Sequence, residues 1–189
     1  MKKMFNSVRL EGYLYEHDLK ARVTGETSKT PGTNYISGSI GIATDDDCLN
    51  VVTVYYSYVT ETTKKGEPNA TYTLLKNIID GKLGLVMRDG KEKANKVRVD
   101  TSLALNDFYT DRNGQEELVS AKRNEGGFIH LTDVLASVDT EETKYARNNF
   151  TCDMLITRVT EKEANEEKNE PAKVLVRGAI FNFRNDLLP

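Results

Sequence analysis

The stretch that decides the fold is VRLEGYLY, residues 8–15, in which small or apolar side chains alternate with polar ones. One phase holds the small and apolar residues Val8, Leu10, Gly12 and Leu14. The other phase holds the polar and aromatic residues Arg9, Glu11, Tyr13 and Tyr15. Because a strand points successive side chains to opposite faces, the pattern predicts a half-buried β-strand with tyrosines on its outer face.

The same alternation returns in LNVVTVYYSYV, residues 49–59, where Val52, Val54, Tyr56 and Tyr58 share a phase. Aromatic rings on a sheet beside basic side chains suit single-stranded nucleic acid, since bases stack on the rings and cations contact the phosphates. Tyrosine is also a favoured strand residue for packing alone, so the pattern by itself leaves both roles open.

The composition is that of an ordinary folded chain. Of the 189 residues, 38% are hydrophobic and 29% are charged, so the chain is more hydrophobic than a disordered protein. No apolar run approaches the roughly 20 residues of a membrane-spanning helix, and the N-terminus lacks the apolar segment of a secretory signal. The two distant cysteines, Cys48 and Cys152, predict reduced thiols in the cytosol.

The net charge of −3 is unevenly distributed. Residues 1–110 carry 15 Lys and Arg against 14 Asp and Glu, whereas residues 111–189 carry 11 against 15. Local potential matters more than total charge for capturing phosphates, so the near-neutral first half is compatible with nucleic-acid binding. The chain as a whole lacks the strongly basic charge that is typical of proteins that bind double-stranded nucleic acid tightly.

A polar loop and a second strand follow the opening strand. The loop from Lys20 to Asn34 is basic and contains turn residues. The second strand, residues 35–44, contains Gly38 and Gly41. Glycine inside a strand predicts a bulge, a sharp bend or the close approach of another backbone.

A third strand is predicted over residues 49–60, and the best helix candidate is NATYTLLKNIIDG, residues 69–81. Asn69 can cap the start of this helix and Gly81 can end it. A fourth strand is predicted over residues 96–105.

The second half is less regular. Its segments ELVSAKR (117–123), FTCDMLITRV (150–159) and VLVRGAIFNF (174–183) each predict one strand, and GGFIHLTDVL (126–135) fits a strand or a helix.

The order of segments over residues 6–110 resembles the oligonucleotide-binding fold of bacterial and phage single-stranded-DNA-binding proteins. Those proteins open with a segment like N-x-V-x-L-x-G, which is matched by Asn6, Val8, Leu10 and Gly12. Further similar segments are the basic loop Lys20–Asn34, Leu49–Val52, Ile78–Gly81 and Val97–Asp100. The chain departs from the family in having no tryptophan and no glycine-rich linker with an acidic-hydrophobic tail.

The resemblance implies a mainly β fold, an OB-fold-like five-stranded Greek-key barrel with one helix between strands three and four, plus a strand-rich C-terminal extension. It divides the chain into a nucleic-acid-binding core at 1–110 and an acidic extension at 111–189, packed on or completing the same domain. The implied function is non-catalytic binding of single-stranded DNA with little sequence preference, protecting exposed DNA in replication or recombination in the cytoplasm of a bacterial host cell.

Two sets of residues are expected to carry this binding. The stacking platforms, with Tyr109 as a further candidate, are Tyr13, Tyr15, Tyr35, Tyr56 and Tyr58. The phosphate contacts are Lys20, Arg22, Lys29, Lys64, Lys65, Lys96 and Arg98. Arg9, on the same phase as Tyr13 and Tyr15, is expected to add both charge and stacking. For any single member, the plainer role of a packed ring or a solvated charge stays open.

No motif for catalysis, a cofactor or a metal stands out. Asp45, Asp46 and Asp47 form the densest carboxylate cluster, but without spaced partner ligands they predict a polar hairpin turn. His17 and His130 have no metal-ligand spacing. We therefore expect no enzyme, no cofactor and no metal site.

Beyond single-stranded DNA, the expected partners are replication or recombination proteins and a second copy of the chain. No association with a membrane is expected. Self-association would use an edge strand, either Val8–Tyr15 or residues 174–183. Two alternative functions stay open. One is a structural or protein-interaction module on a small β-barrel, such as a virion component or an inhibitor of a host factor. The other is a nuclease-associated or RNA-binding accessory protein.

Overall fold

The computed structural model describes residues 4–112, 114–166, 169–182 and 187–188, and most of them lie in strands. The strands are β1 (Asn6–His17), β2 (Lys20–Val23), β3 (Asn34–Ala43), β4 (Val51–Thr60), β5 (Lys96–Arg112), β6 (Gln115–Leu131), β7 (Asn148–Cys152), β8 (Met154–Lys162), β9 (Lys173–Phe181) and β10 (Leu187–Leu188). Between β4 and β5 lie α1 (Ala70–Ile79), α2 (Val86–Asp89) and a 3-10 turn, Lys91–Lys93. The mainly β class is confirmed. Within the described ranges, none of the helices has the length and apolar character needed to cross a membrane.

Seven strands form one sheet in the order β2-β3-β4-β6-β5-β1-β7, and β8, β9 and β10 form a second sheet with β9 in the middle. β4 and β6 run parallel, and β1 pairs with β3 as well as with β5. Because β1 has partners along both sides, the prediction that Val8–Tyr15 offers a free edge is wrong. In the second sheet the outer strands are β8 and β10, whereas residues 174–181 belong to the middle strand, β9.

The contacts divide the chain into two compact units, Ser7–Phe150 and Met1–Asn6 with Thr151–Pro189. The buried hydrophobic side chains of the described residues all lie in Ser7–Phe150. The boundary predicted at residue 110 falls inside the hairpin of β5 and β6, whose pairing continues to Arg112 and Gln115.

The core of Ser7–Phe150 is built from alternate strand residues and one face of α1. The largest fully buried side chains are Leu10, Leu14, Ile36, Ile40, Ile42, Val54, Tyr56, Leu75, Ile78, Val97 and Val99. The inner phase predicted for the first strand is thereby confirmed. Helix α1 begins where predicted, because the side chain of Asn69 accepts a hydrogen bond from the backbone N of Thr71 (3.1 Å).

Two glycines allow the strands of this sheet to approach and bend. A Cβ on Gly12 would overlap the carbonyl oxygen of Ala43, so β1 and β3 can pair closely only without a side chain there. Gly38 has a φ of 129° and lies where the register of β3 and β4 shifts. An irregularity is found at the glycine of the second strand, but the extra residue of the bulge lies on β4.

The second half differs from the predicted strands in two places. β5 and β6 are 17 residues each, and residues 126–131 continue β6 as strand. The segment FTCDMLITRV is not one strand, because Asp153 separates β7 from β8. The backbone N of Asp153 donates to Phe5 O (2.7 Å), and its carboxylate accepts from Phe5 N (2.7 Å).

Candidate nucleic-acid interface

The outer face of β3 and β4 carries a pair of tyrosine rings. The ring centroids of Tyr35 and Tyr58 lie 4.7 Å apart, with an angle of 43° between the ring planes. Tyr58 is 49% exposed, and its hydroxyl lies 3.4 Å from Thr30 Oγ1 in the loop between β2 and β3. The pair therefore offers an accessible aromatic surface bordered by the basic loop.

A register shift places Tyr58 outside and Tyr56 inside. Gly38 of β3 pairs with Tyr56, whereas Ile36 pairs with Val59, so β4 has one extra residue in this interval. A one-residue slip turns the following side chains to the other face. Tyr56 is only 1% exposed, and burial raises the pKa of its phenol far above the ordinary value. The prediction that Tyr56 is a stacking platform on the same face as Tyr58 is therefore wrong.

A second aromatic feature, missed by the sequence reasoning, is Tyr55 beneath Arg123. The guanidinium carbon of Arg123 lies 5.1 Å from the centroid of the Tyr55 ring. Its Nη2 lies 3.1 Å from a carboxylate oxygen of Glu125 and donates to Ser57 Oγ (3.1 Å). A guanidinium fixed over a ring can stack with a base and contact a phosphate. The alternation of Thr53, Tyr55 and Ser57 could have indicated the outward ring, but the partner depends on the parallel pairing of β4 with β6.

Five of the predicted cations lie on segments that flank β3 and β4. They are Lys20 and Arg22 on β2, Lys29 in the following loop, and Lys64 and Lys65 in the turn after β4. Arg22 pairs directly with Tyr35 across the β2–β3 ladder. All five side chains are exposed, and among the described residues none of them forms an ion pair. Their charges are therefore available to a ligand.

The other three predicted cations lie on β1 and β5 and already have partners. Arg9 Nε lies 2.9 Å from one oxygen of Asp100, and Arg98 Nε lies 3.4 Å from the other. The hydrogen bond to Asp100 raises the pKa of Arg9. Lys96 Nζ donates to the carbonyl oxygen of Asp133 (3.3 Å). These three are poorer candidates for phosphate contact than the cations of β2 and the loops.

Tyr13 and Tyr15 lie on the outer phase of β1, as predicted, and both are half-buried. Lys91 Nζ lies 5.1 Å from the centroid of the Tyr13 ring and donates to the backbone carbonyl oxygen of Asp46. Tyr13 therefore belongs to a separate cluster. Tyr109 lies on β5 and is 70% exposed.

The acidic turn between β3 and β4 is tied into the protein. The Asp45 carboxylate accepts hydrogen bonds from the backbone N of Leu49 (3.2 Å) and of Asn50 (2.9 Å). Asp46 Oδ1 lies 2.9 Å from Arg147 Nη1, and this hydrogen bond lowers the pKa of Asp46. In the part of the chain that the structure describes, no three or more His, Cys, Asp or Glu side chains are grouped to hold a metal ion.

These features define a mainly β protein whose seven-stranded sheet displays tyrosines beside basic loops. A family model described as YorF matches residues 4–189. The chain belongs to the YorF family. No curated protein matches it.

Proposed function

We propose that this YorF-family protein binds single-stranded DNA with little sequence preference and protects it while it is exposed during replication or recombination. The observation that carries the proposal is the accessible Tyr35–Tyr58 pair beside exposed, uncompensated cations. Rings accept any base, since every base has a π-face, and cations of the adjoining loops follow the phosphates. The role is non-catalytic.

The pairing of strands supports an OB-fold-like barrel as the scaffold of this surface. The pairings lead from β1 through β3, β4, β6 and β5 back to β1, and α1 lies between β4 and β5. This is the order expected for a five-stranded Greek-key barrel with a helix between its third and fourth strands. OB-folds bind oligonucleotides on the face of their second and third strands. In this proposal those strands are β3 and β4, which carry Tyr35 and Tyr58.

Fluorescence anisotropy of labelled oligo-dT at several salt concentrations tests the proposal. We expect a micromolar or tighter dissociation constant at low salt that rises steeply with salt, because bound phosphates release counterions. Absence of binding at the lowest salt would refute the proposal.

A matched set of tyrosine variants tests the site itself. We expect Tyr58→Ala to weaken binding by roughly 1–3 kcal/mol, or about 5- to 150-fold, and Tyr58→Phe to retain affinity because the ring remains. The control is Tyr145→Ala, which removes a ring that is 70% exposed but lies in the loop between β6 and β7. Equal effects of Tyr58→Ala and Tyr145→Ala would remove the tyrosine pair from the interface.

A protein-interaction role is the second candidate, and exposed apolar side chains on β8 and β9 favour it. It predicts that the chain captures a protein partner while leaving oligo-dT unbound at low salt. The anisotropy measurement therefore separates the two functions.

A further inference from the structure

The sheet of β8, β9 and β10 has two chemically different faces. Directly opposite residues of an antiparallel ladder share a face, and alternate residues along a strand do so as well. On β9, the apolar face holds Val174, Val176, Gly178 and Ile180. The residues directly opposite them on β8 are, in the same order, Glu161, Val159, Ile156 and Met154. The other face holds Lys173, Leu175, Arg177 and Ala179 of β9 and Lys162, Thr160, Arg158 and Leu155 of β8.

The apolar face has no cover within its own unit. Its large side chains on β8 and β9 are between 43% and 60% exposed, with Ile180 half-buried. Among the described residues of Met1–Asn6 and Thr151–Pro189, none is a buried hydrophobic residue. A small sheet needs a covered hydrophobic face to be stable, so this unit lacks part of its core.

We propose that a second copy of the chain covers this face, with the two apolar faces packed on each other. Because this unit has no core of its own, whatever covers its apolar face must be present whenever the chain folds. A second copy is always present in equal amount and carries the same apolar face, which suits the self-complementary contact of a two-fold dimer. Two such faces form the interior of a β-sandwich, with the sheets about 10 Å apart. The inference is independent of DNA binding.

The distribution of charge fits a second copy on this face and excludes it from the other. Glu161 is the charged residue of the apolar face, and it lies at one end of the β8–β9 ladder. A two-fold axis that runs across the strands keeps the two Glu161 carboxylates at opposite ends of the contact. On the other face Arg158 lies directly opposite Arg177, and two copies would bring these like charges together.

The size of the apolar face is also in the range of an interface. Its half-exposed side chains present on the order of a few hundred Å² per copy, the size of the largest apolar patches on single chains, which are often functional. Two copies with their polar rims would reach the lower end of the roughly 1,200–2,000 Å² typical of specific contacts.

Sedimentation velocity of the full chain over a range of concentrations tests the proposal. Val176→Glu is the test variant and Leu175→Glu is its matched control, since these neighbours on β9 are 50% and 42% exposed and lie on opposite faces. We expect a monomer–dimer equilibrium for the wild-type chain. Val176→Glu should raise the dissociation constant by at least about tenfold, because a buried unpaired carboxylate is costly, while Leu175→Glu leaves it nearly unchanged.

Three results would overturn the proposal. The first is a wild-type chain that stays monomeric at every concentration, which is also the result expected if another part of the same chain covers the apolar face. The second is a dimer that Val176→Glu leaves intact, and the third is equal weakening by both variants. If Val176→Glu does not fold, hydrogen exchange of the wild-type chain decides: protection of β8 and β9 must rise with protein concentration, and concentration-independent exchange contradicts the dimer.

Discussion

The seven-stranded sheet and the sheet of β8, β9 and β10 are both built from apolar strands, yet among the described residues only the first buries an apolar face within its own unit. Ile40 on β3 is completely buried, whereas Ile156 on β8 is 59% exposed. Over the first sheet, α1 contributes Leu75 and Ile78 to the core cluster. The comparison teaches that alternation identifies the face of a sheet, while burial depends on a covering element that alternation does not reveal.

The largest expected effect is on stability, measured by urea unfolding of two isoleucine variants at low protein concentration. Ile40→Ala should cost about 2–5 kcal/mol, because it removes a packed side chain and leaves a cavity. Ile156→Ala should cost less than about 0.5 kcal/mol, as for other surface substitutions.

Equal costs for these two variants would contradict the difference between the sheets. A cost of Ile156→Ala that grows with protein concentration would sharpen it, because the second copy then supplies the missing cover.

A smaller effect, on DNA affinity, is expected when one exposed arginine is replaced in each of the two units. Arg22→Gln should weaken oligo-dT binding several-fold and reduce the slope of log affinity against log salt by about 0.7, because one phosphate contact is lost. Arg177→Gln on β9 removes an exposed arginine of the other unit and should leave the slope unchanged. An equal loss of slope for Arg177→Gln would mean that the second unit also contacts DNA.

The smallest expected effect concerns ion pairs of different burial. Arg147 is buried and pairs with the half-exposed Asp46, whereas Lys162 and Glu170 form a more open pair. At neutral pH, Asp46→Asn should cost no more than about 1 kcal/mol and Glu170→Gln close to nothing.

The pH dependence of the Asp46→Asn effect checks its origin. The pKa of Asp46 in the folded chain lies below its ordinary value of 3.8, chiefly because Arg147 donates a hydrogen bond to it. The stabilisation is therefore fully present above pH 3.8 and is lost as the pH falls through the folded pKa. Unfolding free energies of wild type and Asp46→Asn should converge in acid, and a gap independent of pH would contradict the ion pair as its cause.

Local signals in the sequence predicted much of the first sheet. The alternation around Leu10 and Leu14 predicted a buried phase, and Asn69 predicted the start of α1. Gly38 predicted a bulge, because glycine tolerates the positive φ found there.

The candidate site was less predictable, because it depends on pairing between distant segments. The bulge at Gly38 was foreseen on β3, but the extra residue lies on β4, and this separates Tyr56 from Tyr58. The contact of Tyr55 with Arg123 depends on the parallel pairing of β4 and β6, to which no short pattern points. The local break at Asp153 also escaped prediction, because its partner Phe5 is far away in the chain.

The pairing of β1 has a consequence for how the chain leaves the ribosome. β1 is synthesised long before its partners, since Val8 pairs with Thr101 and the backbone N of Glu11 donates to Arg147 O (2.8 Å). At roughly 5–20 residues per second, the nascent strand waits on the order of ten seconds before β5 emerges. During that delay its apolar phase and its backbone edges are open to chaperones or to neighbouring chains. Because the pairings join segments that are far apart in the chain, completion of this sheet is a slow step of folding.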